Sequence, residues 1–243
     1  MREDKMNELF SLENKTIIIT GAAGYLGHEY MAYFEGQGAK IVGWDYDWET
    51  MKISDKILFQ KVDICNPEEI SKALLAVESV DILICNAAID FPPNKPPVHS
   101  KLKVLETNVL GVQNCIEAVR NKILGGSIIL IGSIYGMVSP DKRIYGQWEK
   151  PSIYSVTKSA LYGMTKYYAA HFASSSIRVN IVTLGGVFSN QSDDFKKRYS
   201  EKVPIGRMAF PDDYFGVLHF LASDASRYMT GANLIVDGGY TAW

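Results

Sequence analysis

Seven short apolar runs alternate with longer segments of helical periodicity, and this alternation constrains the fold more than any other feature of the chain. Strands are predicted at 16–19, 40–44, 57–62, 81–85, 127–131, 177–182 and 233–236. Helices are predicted at 25–37, 67–78, 101–122, 152–174 and 211–222. Because strands separated by helices favour parallel pairing, the pattern predicts one α/β domain built on a doubly wound, seven-stranded parallel sheet.

The composition is consistent with one globular domain and argues against several classes of partner. The 243 residues are 47 % hydrophobic and 21 % charged, and we expect a polar leader at 1–14 and a catalytic domain at 15–243. With a net charge of −2 and no basic stripe, nucleic-acid binding is not expected. No apolar run is long enough for a membrane span or a secretory signal, so we expect a cytoplasmic protein.

The potential metal ligands are scattered along the sequence. The three cysteines and four histidines have no metal-ligand spacing, so the cysteines are expected to be reduced core residues and no metal site is predicted. A proline-rich segment at 91–97 is predicted to form a loop beyond the fourth strand.

A glycine-rich turn links the first predicted strand to the first helix. The segment reads TGAAGYLG from Thr20, with Gly21, Gly24 and Gly27 spaced three apart. Such a turn lets backbone N–H groups, here including those of Tyr25 and Leu26, approach a pyrophosphate. The sequence therefore predicts a Rossmann-type dinucleotide site.

The second predicted strand ends at an acid that bears on the choice of cofactor. The Asp45 carboxylate is placed to accept hydrogen bonds from an adenosine ribose and to repel a 2′-phosphate, which favours NAD over NADP. Asp45 and Asp47 could instead be ordinary turn acids. Further cofactor contacts are predicted at the ends of the third and fourth strands, at Asp63, Ile64, Asn86, Ala87 and Ala88.

Tyr154 and Lys158 are spaced to lie on one face of the fourth predicted helix. A nearby ammonium favours phenolate over phenol, so we expect Lys158 to lower the pKa of Tyr154 toward the working pH of a general acid/base. Ser133 follows the fifth strand. A second pair with the same spacing, Tyr162 and Lys166, lies two turns further along and is interpreted as a helix-packing or subunit-contact pair.

The order of these motifs resembles the short-chain dehydrogenase/reductase superfamily, in its compact single-domain branch, over nearly the whole chain. The segments that carry the resemblance are TGAAGYLG, Asp63, CNAA at 85–88, Asn108, Ser133, YSVTK at 154–158 and LASDASRYMTGANLIVDGGY at 221–240. The resemblance implies a homotetramer or homodimer that binds a nicotinamide cofactor and a small-molecule substrate.

The resemblance also implies roles for individual residues. Tyr154 would be the proton donor or acceptor, and Lys158 would hold the nicotinamide ribose. Ser133 would bind the reacting oxygen, while Asn108 would support a water chain from Lys158. Cofactor contacts are implied at Gly185, at Val187 through its backbone, and at Ser189 near the pyrophosphate.

The chain departs from the family pattern in three places. The glycine spacing is closer to that of sugar-nucleotide epimerases, and Leu184 stands where a proline usually precedes Gly185. An insert at about 134–150 separates Ser133 from Tyr154. We expect it to border the active site and to offer Lys142, Arg143, Tyr145, Gln147 and Trp148 to a polar or anionic ligand, or else to form a subunit contact.

A segment at about 186–207 is predicted to be a substrate lid, because it mixes Gly, Ser and Asn with a charged helix. Its cations Lys196, Lys197 and Arg198 are interpreted as a solvated helix face.

Three functions are considered. The leading hypothesis is an NAD(P)-dependent oxidoreductase that interconverts a secondary alcohol and a ketone, on a sugar-like or acidic substrate of a surface-glycan pathway. The alternative is epimerase or dehydratase chemistry on a nucleotide sugar with retained NAD. The third is an NAD(H)-binding sensor or scaffold without turnover.

Overall fold

The structure, a computed structural model, describes residues 7–47, 57–91 and 99–243. Its centre is a sheet of seven parallel strands in the order β3-β2-β1-β4-β5-β6-β7. The strands are β1 Thr16–Thr20, β2 Lys40–Asp45, β3 Ile57–Lys61, β4 Val80–Cys85, β5 Ile123–Ser133, β6 Ile177–Leu184 and β7 Asn233–Val236. The predicted doubly wound fold is confirmed, and all strands end at the same edge of the sheet.

Helices cover both faces of this sheet and its carboxyl edge. They are α1 Tyr25–Gly36, α2 Pro67–Leu75, α3 Lys101–Leu105, α4 Val112–Val119, α5 Lys142–Tyr145, α6 Ser152–Phe172, α7 Asp193–Lys202 and α8 Phe215–Ala222. Local sequence sets their starts: the Asn66 side chain caps α2 by accepting from the Glu68 amide, and Pro151 precedes α6.

Two elements differ from the sequence prediction. The helix expected at 101–122 ends at Val119 and contains a π-helical stretch, Glu106–Gly111, between α3 and α4. The fifth strand begins at Ile123 instead of 127. Gly125 has a φ of 76°, and the β4–β5 register shifts between Val80 and Ile82, so the strand contains an irregularity near its start.

Alternate strand residues face two separate cores, as a strand period of two requires. Ile18 and Leu83 point toward α2, α4 and α6, whereas Ile17 and Ile84 point toward α1 and α8. Leu12, in the segment before β1, is 2 % exposed and belongs to the second core.

A third apolar cluster lies beyond the carboxyl edge of the sheet. It joins the start of α6 to the 134–150 insert, to α7 and to the C-terminal segment. Its buried members are Phe91, Val104, Ile134, Tyr135, Ile144, Tyr145, Tyr154, Phe195, Tyr199, Val203, Met208 and Tyr240. This cluster covers the edge at which the predicted catalytic residues end.

Two sequence expectations fall partly on residues 1–6 and 92–98, namely the start of the leader and most of the proline-rich loop, and these lie outside the described residues. Within the described ranges, none of the helices has the length and apolarity needed to span a membrane.

Candidate active site

The glycine-rich turn brings three backbone segments into close contact. Gly21 has a φ of 67°, and a Cβ atom built on it would lie 2.7 Å from the Ala87 Cα atom. A Cβ on Gly27 would lie 2.1 Å from the Gly21 carbonyl oxygen. Neither position accepts a larger residue, so both glycines are required by the close packing of the turn against the end of β4 and the start of α1.

The start of α1 fits the pyrophosphate of a dinucleotide. Gly24 occupies the N-cap position and provides no side-chain hydrogen bond to the first turn. The N–H groups of Tyr25 and Leu26 therefore open a helix that lacks a side-chain cap, a position where the helix dipole favours an anion. Both residues line the cavity that contains Tyr154.

Asp45 lies against the glycine-rich turn. Its Oδ2 atom accepts a hydrogen bond of 2.9 Å from the Ala23 amide, and its Oδ1 accepts one of 3.1 Å from the Asp47 amide. The carboxylate is thus held in place beside the turn, where a negative charge favours ribose hydroxyls over a phosphate.

The end of β4 is tied to the same turn through Asn86. The Asn86 Nδ2 atom donates to the carbonyl oxygens of Thr20 and Gly21 at 3.1 and 3.2 Å. The Ala87 amide donates to Thr20 Oγ1 at 3.0 Å. Asn86 and Ala88 line the cavity, while Ala87 supports the turn from behind.

Asp63 and Ile64 lie outside this cavity. Asp63 Oδ1 accepts from the Cys65 amide at 2.9 Å, and its Oδ2 lies 4.0 Å from Lys103 Nζ. The Ile64 side chain is buried in the core, and its carbonyl accepts from Asn114. In the described geometry both residues serve the loop after β3.

A cavity of about 300 Å³ opens at the carboxyl edge of the sheet. Among the residues predicted for the site, the structure gathers Tyr25, Leu26, Asn86, Ala88, Ser133, Tyr154, Lys158, Gly185, Val187 and Ser189 around it. The first turn of α1, the segment after β4, the end of β5, the start of α6 and the segment after β6 supply these residues from separate parts of the chain. The cavity lining does not include Gly21, Gly24, Gly27, Asp45 or Asn108.

The catalytic group is buried where β5 and α6 meet. The Lys158 Nζ atom donates a hydrogen bond of 2.8 Å to the Ile131 carbonyl oxygen and lies 5.9 Å from the centre of the Tyr154 ring. Ser133 accepts from the Tyr135 amide at 3.2 Å, and its hydroxyl lies near enough to the Tyr154 phenol to lower the pKa of that phenol. The phenol, the hydroxyl and the ammonium thus share one water-poor site.

Asn108 organises the neighbouring backbone. It lies in the π-helical stretch, where its Oδ1 accepts from the Ile89 amide at 2.7 Å and its Nδ2 donates to the Ile89 carbonyl at 2.9 Å. Nδ2 also lies 3.3 Å from the Thr157 hydroxyl on α6. Asn108 therefore joins the segment after β4 to the catalytic helix.

Burial controls the proton affinities of the catalytic pair. It raises the pKa of Tyr154 well above the usual value, and the nearby Asp90 carboxylate raises this pKa further, against a smaller lowering by Ser133. Burial lowers the pKa of Lys158 to about 8. The net direction for the Tyr154 pKa is upward, opposite to the lowering expected from Lys158, because desolvation of the phenol is the largest effect; the role of Lys158 stays a prediction.

The sequence interpretation missed two charged residues at the cavity, Asp90 and Lys150. Asp90 follows β4 by five positions, and Lys150 immediately precedes the proline that starts α6. The Lys150 ammonium forms an ion pair with Asp90 and lies 4.3 Å from the centre of the Tyr154 ring. In the sequence, only their positions could have indicated a role: Asp90 follows a strand end at the ligand edge, and Lys150 directly precedes the catalytic helix.

The insert borders the cavity through Ile134, Tyr135, Tyr145 and Lys150, but most of its candidate ligand contacts lie elsewhere. Of its five candidate residues, Tyr145 lines the cavity. Lys142 forms an ion pair with Glu149, and Arg143 with Asp141, both with largely exposed cations. The insert is also tied to α7, because Arg198 Nε donates to the Ile144 carbonyl at 2.9 Å.

The buried ammonium of Lys158 predicts a pH-dependent stability. Its pKa falls from 10.5, the ordinary value, to about 8 in the fold, so between these values the unfolded chain binds more protons than the folded chain. Stability therefore rises with pH across this window. Lys158→Met lacks this contribution. As the pH rises through this window, the free energy of unfolding of wild type should therefore increase by roughly 3 kcal/mol more than that of the variant.

Urea unfolding at a series of pH values measures this difference. Lys72→Met, which removes an exposed lysine of α2, is the matched control and should follow the wild-type curve. Parallel curves for wild type and Lys158→Met would contradict the assignment of a strongly desolvated ammonium.

Comparison with known proteins relates this geometry to a family. A family model described as enoyl-(acyl carrier protein) reductase matches residues 21–241. A sorbose reductase of Candida albicans is 29 % identical over 259 residues, covering 96 % of this chain and 89 % of the relative. A cis-4-hydroxycyclohexanecarboxylate dehydrogenase of Sinomonas cyclohexanicum is 31 % identical over 260 residues, covering 98 % of this chain and all of the relative.

Solved structures give the same result. A short-chain dehydrogenase from Leptospira borgpetersenii with bound NAD⁺ superposes with a TM-score of 0.85 at 33 % identity, over 95 % of this chain and 94 % of that one. The chain belongs to the short-chain dehydrogenase/reductase superfamily and is an NAD(P)-dependent oxidoreductase that interconverts alcohols and ketones.

Proposed function

We propose that this enzyme interconverts a secondary alcohol and a ketone in a small, hydroxyl-rich, sugar-like molecule, with NAD as its preferred cofactor. The observation that carries the proposal is the buried Tyr154 phenol, which lies with Ser133 and Lys158 in a cavity whose other wall is the start of α1. The similarity to a sorbose reductase supports a sugar-like substrate. A surface-glycan pathway, a cytoplasmic location and an assembly of two or four copies stay predictions.

The residues around the cavity divide the chemistry between them. The first turn of α1 and Asp45 would hold the phosphates and the adenosine ribose, and Lys158 the nicotinamide ribose; the bound nicotinamide supplies or accepts the hydride. Tyr154 then gives its proton to the oxygen that becomes the alcohol, and Ser133 donates a hydrogen bond to the same oxygen. The burial of Tyr154 keeps this phenol protonated, which suits ketone reduction.

Replacing the phenol tests the catalytic assignment. Tyr154→Phe keeps the ring but removes the proton, so kcat for ketone reduction should fall at least about 100-fold. NADH affinity, followed by cofactor fluorescence, should stay near that of wild type. Tyr168→Phe is a matched control on the same helix, since the Tyr168 hydroxyl bonds to Glu117 and lies outside the cavity lining. Near-normal turnover by Tyr154→Phe would refute the role.

The charge of Asp45 tests the cofactor preference. Wild type should bind NADH more tightly than NADPH, and Asp45→Asn should reduce this preference at least about tenfold, because one unfavourable charge near the 2′-phosphate disappears. Parallel fluorescence titrations give both dissociation constants. Asp47→Asn, which removes an exposed acid two residues away, should leave the preference intact. Tighter NADPH binding by wild type would overturn the proposal.

A further inference from the structure

Asp90 and Lys150 form a charged pair at the cavity that the proton-transfer chemistry does not use. Both line the cavity that holds Tyr154. The Lys150 ammonium is ion-paired with Asp90 Oδ1, donates to the Phe91 carbonyl at 3.0 Å and lies over the Tyr154 ring. A pair placed against the catalytic ring lies within reach of the substrate carbons next to the reacting one.

The two members of this pair are unequally available to a substrate. The Lys150 side chain is 6 % exposed, and its Nζ atom contacts the Asp90 carboxylate, the Phe91 carbonyl and the Tyr154 ring. An ammonium with these three partners is poorly placed to bind a substrate anion. Lys150 therefore holds the Asp90 side chain in place.

The Asp90 carboxylate, by contrast, has one oxygen that accepts no hydrogen bond from the described residues. Its side chain is 61 % exposed, and Oδ1 accepts from both Lys150 and the Phe91 amide. Across residues 7–47, 57–91 and 99–243, no group donates a hydrogen bond to its Oδ2 atom. Among these residues, Oδ2 is thus an available acceptor at the wall of the cavity.

The backbone that carries Asp90 is fixed from both sides. Asn108 holds the amide and carbonyl of the preceding residue, Ile89, and Lys150 holds the carbonyl of the following residue, Phe91. Such fixation lowers the entropic cost of directing one carboxylate oxygen at a ligand. It also links the pair to the catalytic helix, because Asn108 contacts Thr157.

From these contacts we propose that Asp90 determines substrate specificity: its carboxylate accepts a hydrogen bond from a substrate hydroxyl near the reacting carbon and disfavours substrates that carry a carboxylate there. Lys150 is the positioning residue that holds Asp90. This inference rests on the proposed function and narrows its substrate class to neutral polyols and ketoses. It favours the sugar-like part of the sequence prediction over the acidic part.

The charges explain why a carboxylated substrate is disfavoured. A carboxylate brought beside Asp90 meets a like charge that Lys150 only partly neutralises, and the exposure of Asp90 to solvent weakens this repulsion without removing it. A hydroxyl instead forms a charge-assisted hydrogen bond, which is stronger than a neutral one. The related hydroxycyclohexanecarboxylate dehydrogenase is named for a carboxylated substrate, so selection against such substrates would be a property of this chain's own residues.

The test compares three ketones with NADH as the reductant: L-sorbose, 2-keto-L-gulonate, which carries a carboxylate beside the same ketone, and cyclohexanone, which has no hydroxyl. For wild type, kcat/KM should be highest for L-sorbose. In Asp90→Asn, the kcat/KM ratio of 2-keto-L-gulonate to L-sorbose should rise about tenfold, and the ratio of L-sorbose to cyclohexanone should fall about tenfold. The change should appear mainly in KM.

Two further variants separate positioning from folding. Lys150→Met keeps the buried stem but removes the charge, and it should lower the L-sorbose to cyclohexanone ratio, with partial recovery in Lys150→Arg. Glu149→Gln, which changes the neighbouring exposed acid of the same insert, should keep the wild-type ratios. NADH affinity and thermal unfolding of each variant show that it is folded.

The outcomes are distinguishable. If wild type reduces the ketones but Asp90→Asn keeps all ratios, the specificity role is wrong and the proposed function stands. If wild type favours 2-keto-L-gulonate over L-sorbose, the charge selection is wrong. If wild type reduces none of the three with either NADH or NADPH, the proposed function fails and this inference fails with it.

Discussion

Parallel pairing of the seven strands is the constraint on which the rest of the structure depends. Because every strand runs in one direction, the residues that follow β1, β2, β4, β5 and β6 all emerge at a single edge. The glycine-rich turn, Asp45, Asn86, Ser133 and Gly185 come together for that reason alone. Only Tyr154 and Lys158 need a further element, and α6 brings them to the edge by packing on β5 and β6.

The second determinant of the site is the layer of residues that covers it. The insert, α7 and the C-terminal segment bury the phenol under a cluster of aromatic side chains. Burial changes the electrostatics in a direction that the Tyr/Lys spacing did not suggest: it favours the neutral forms of both groups. A phenol that stays protonated until it transfers its proton to the substrate oxygen can act as a proton donor. The same cover places Lys150 on the ring and thereby Asp90 at the cavity wall.

The seven strands with their parallel pairing, the glycine-rich turn and the positions of Ser133, Tyr154 and Lys158 could be predicted because each depends on local pattern: alternating apolar runs, glycine spacing and helical periodicity. The π-helical stretch around Asn108 and the extended start of β5 could not, since both depend on tertiary packing that overrides a helix or turn signal. Asp90 and Lys150 are 60 residues apart, so their meeting beside Tyr154 follows from the topology. Ile64 was expected to contact the cofactor because it follows a strand end, but its side chain lies in the core.

The central claim is net transfer of a hydride to a ketone whose oxygen Tyr154 protonates. The most direct measurement uses NADH labelled with deuterium at C4, in either configuration, with L-sorbose as acceptor and mass spectrometry of the products. The account predicts one deuterium on the new alcohol carbon, from one of the two labelled cofactors, and one NAD⁺ formed per alcohol. Cofactor that stays bound without net oxidation while the sugar is epimerised would contradict it, as would an alcohol without deuterium from either labelled form.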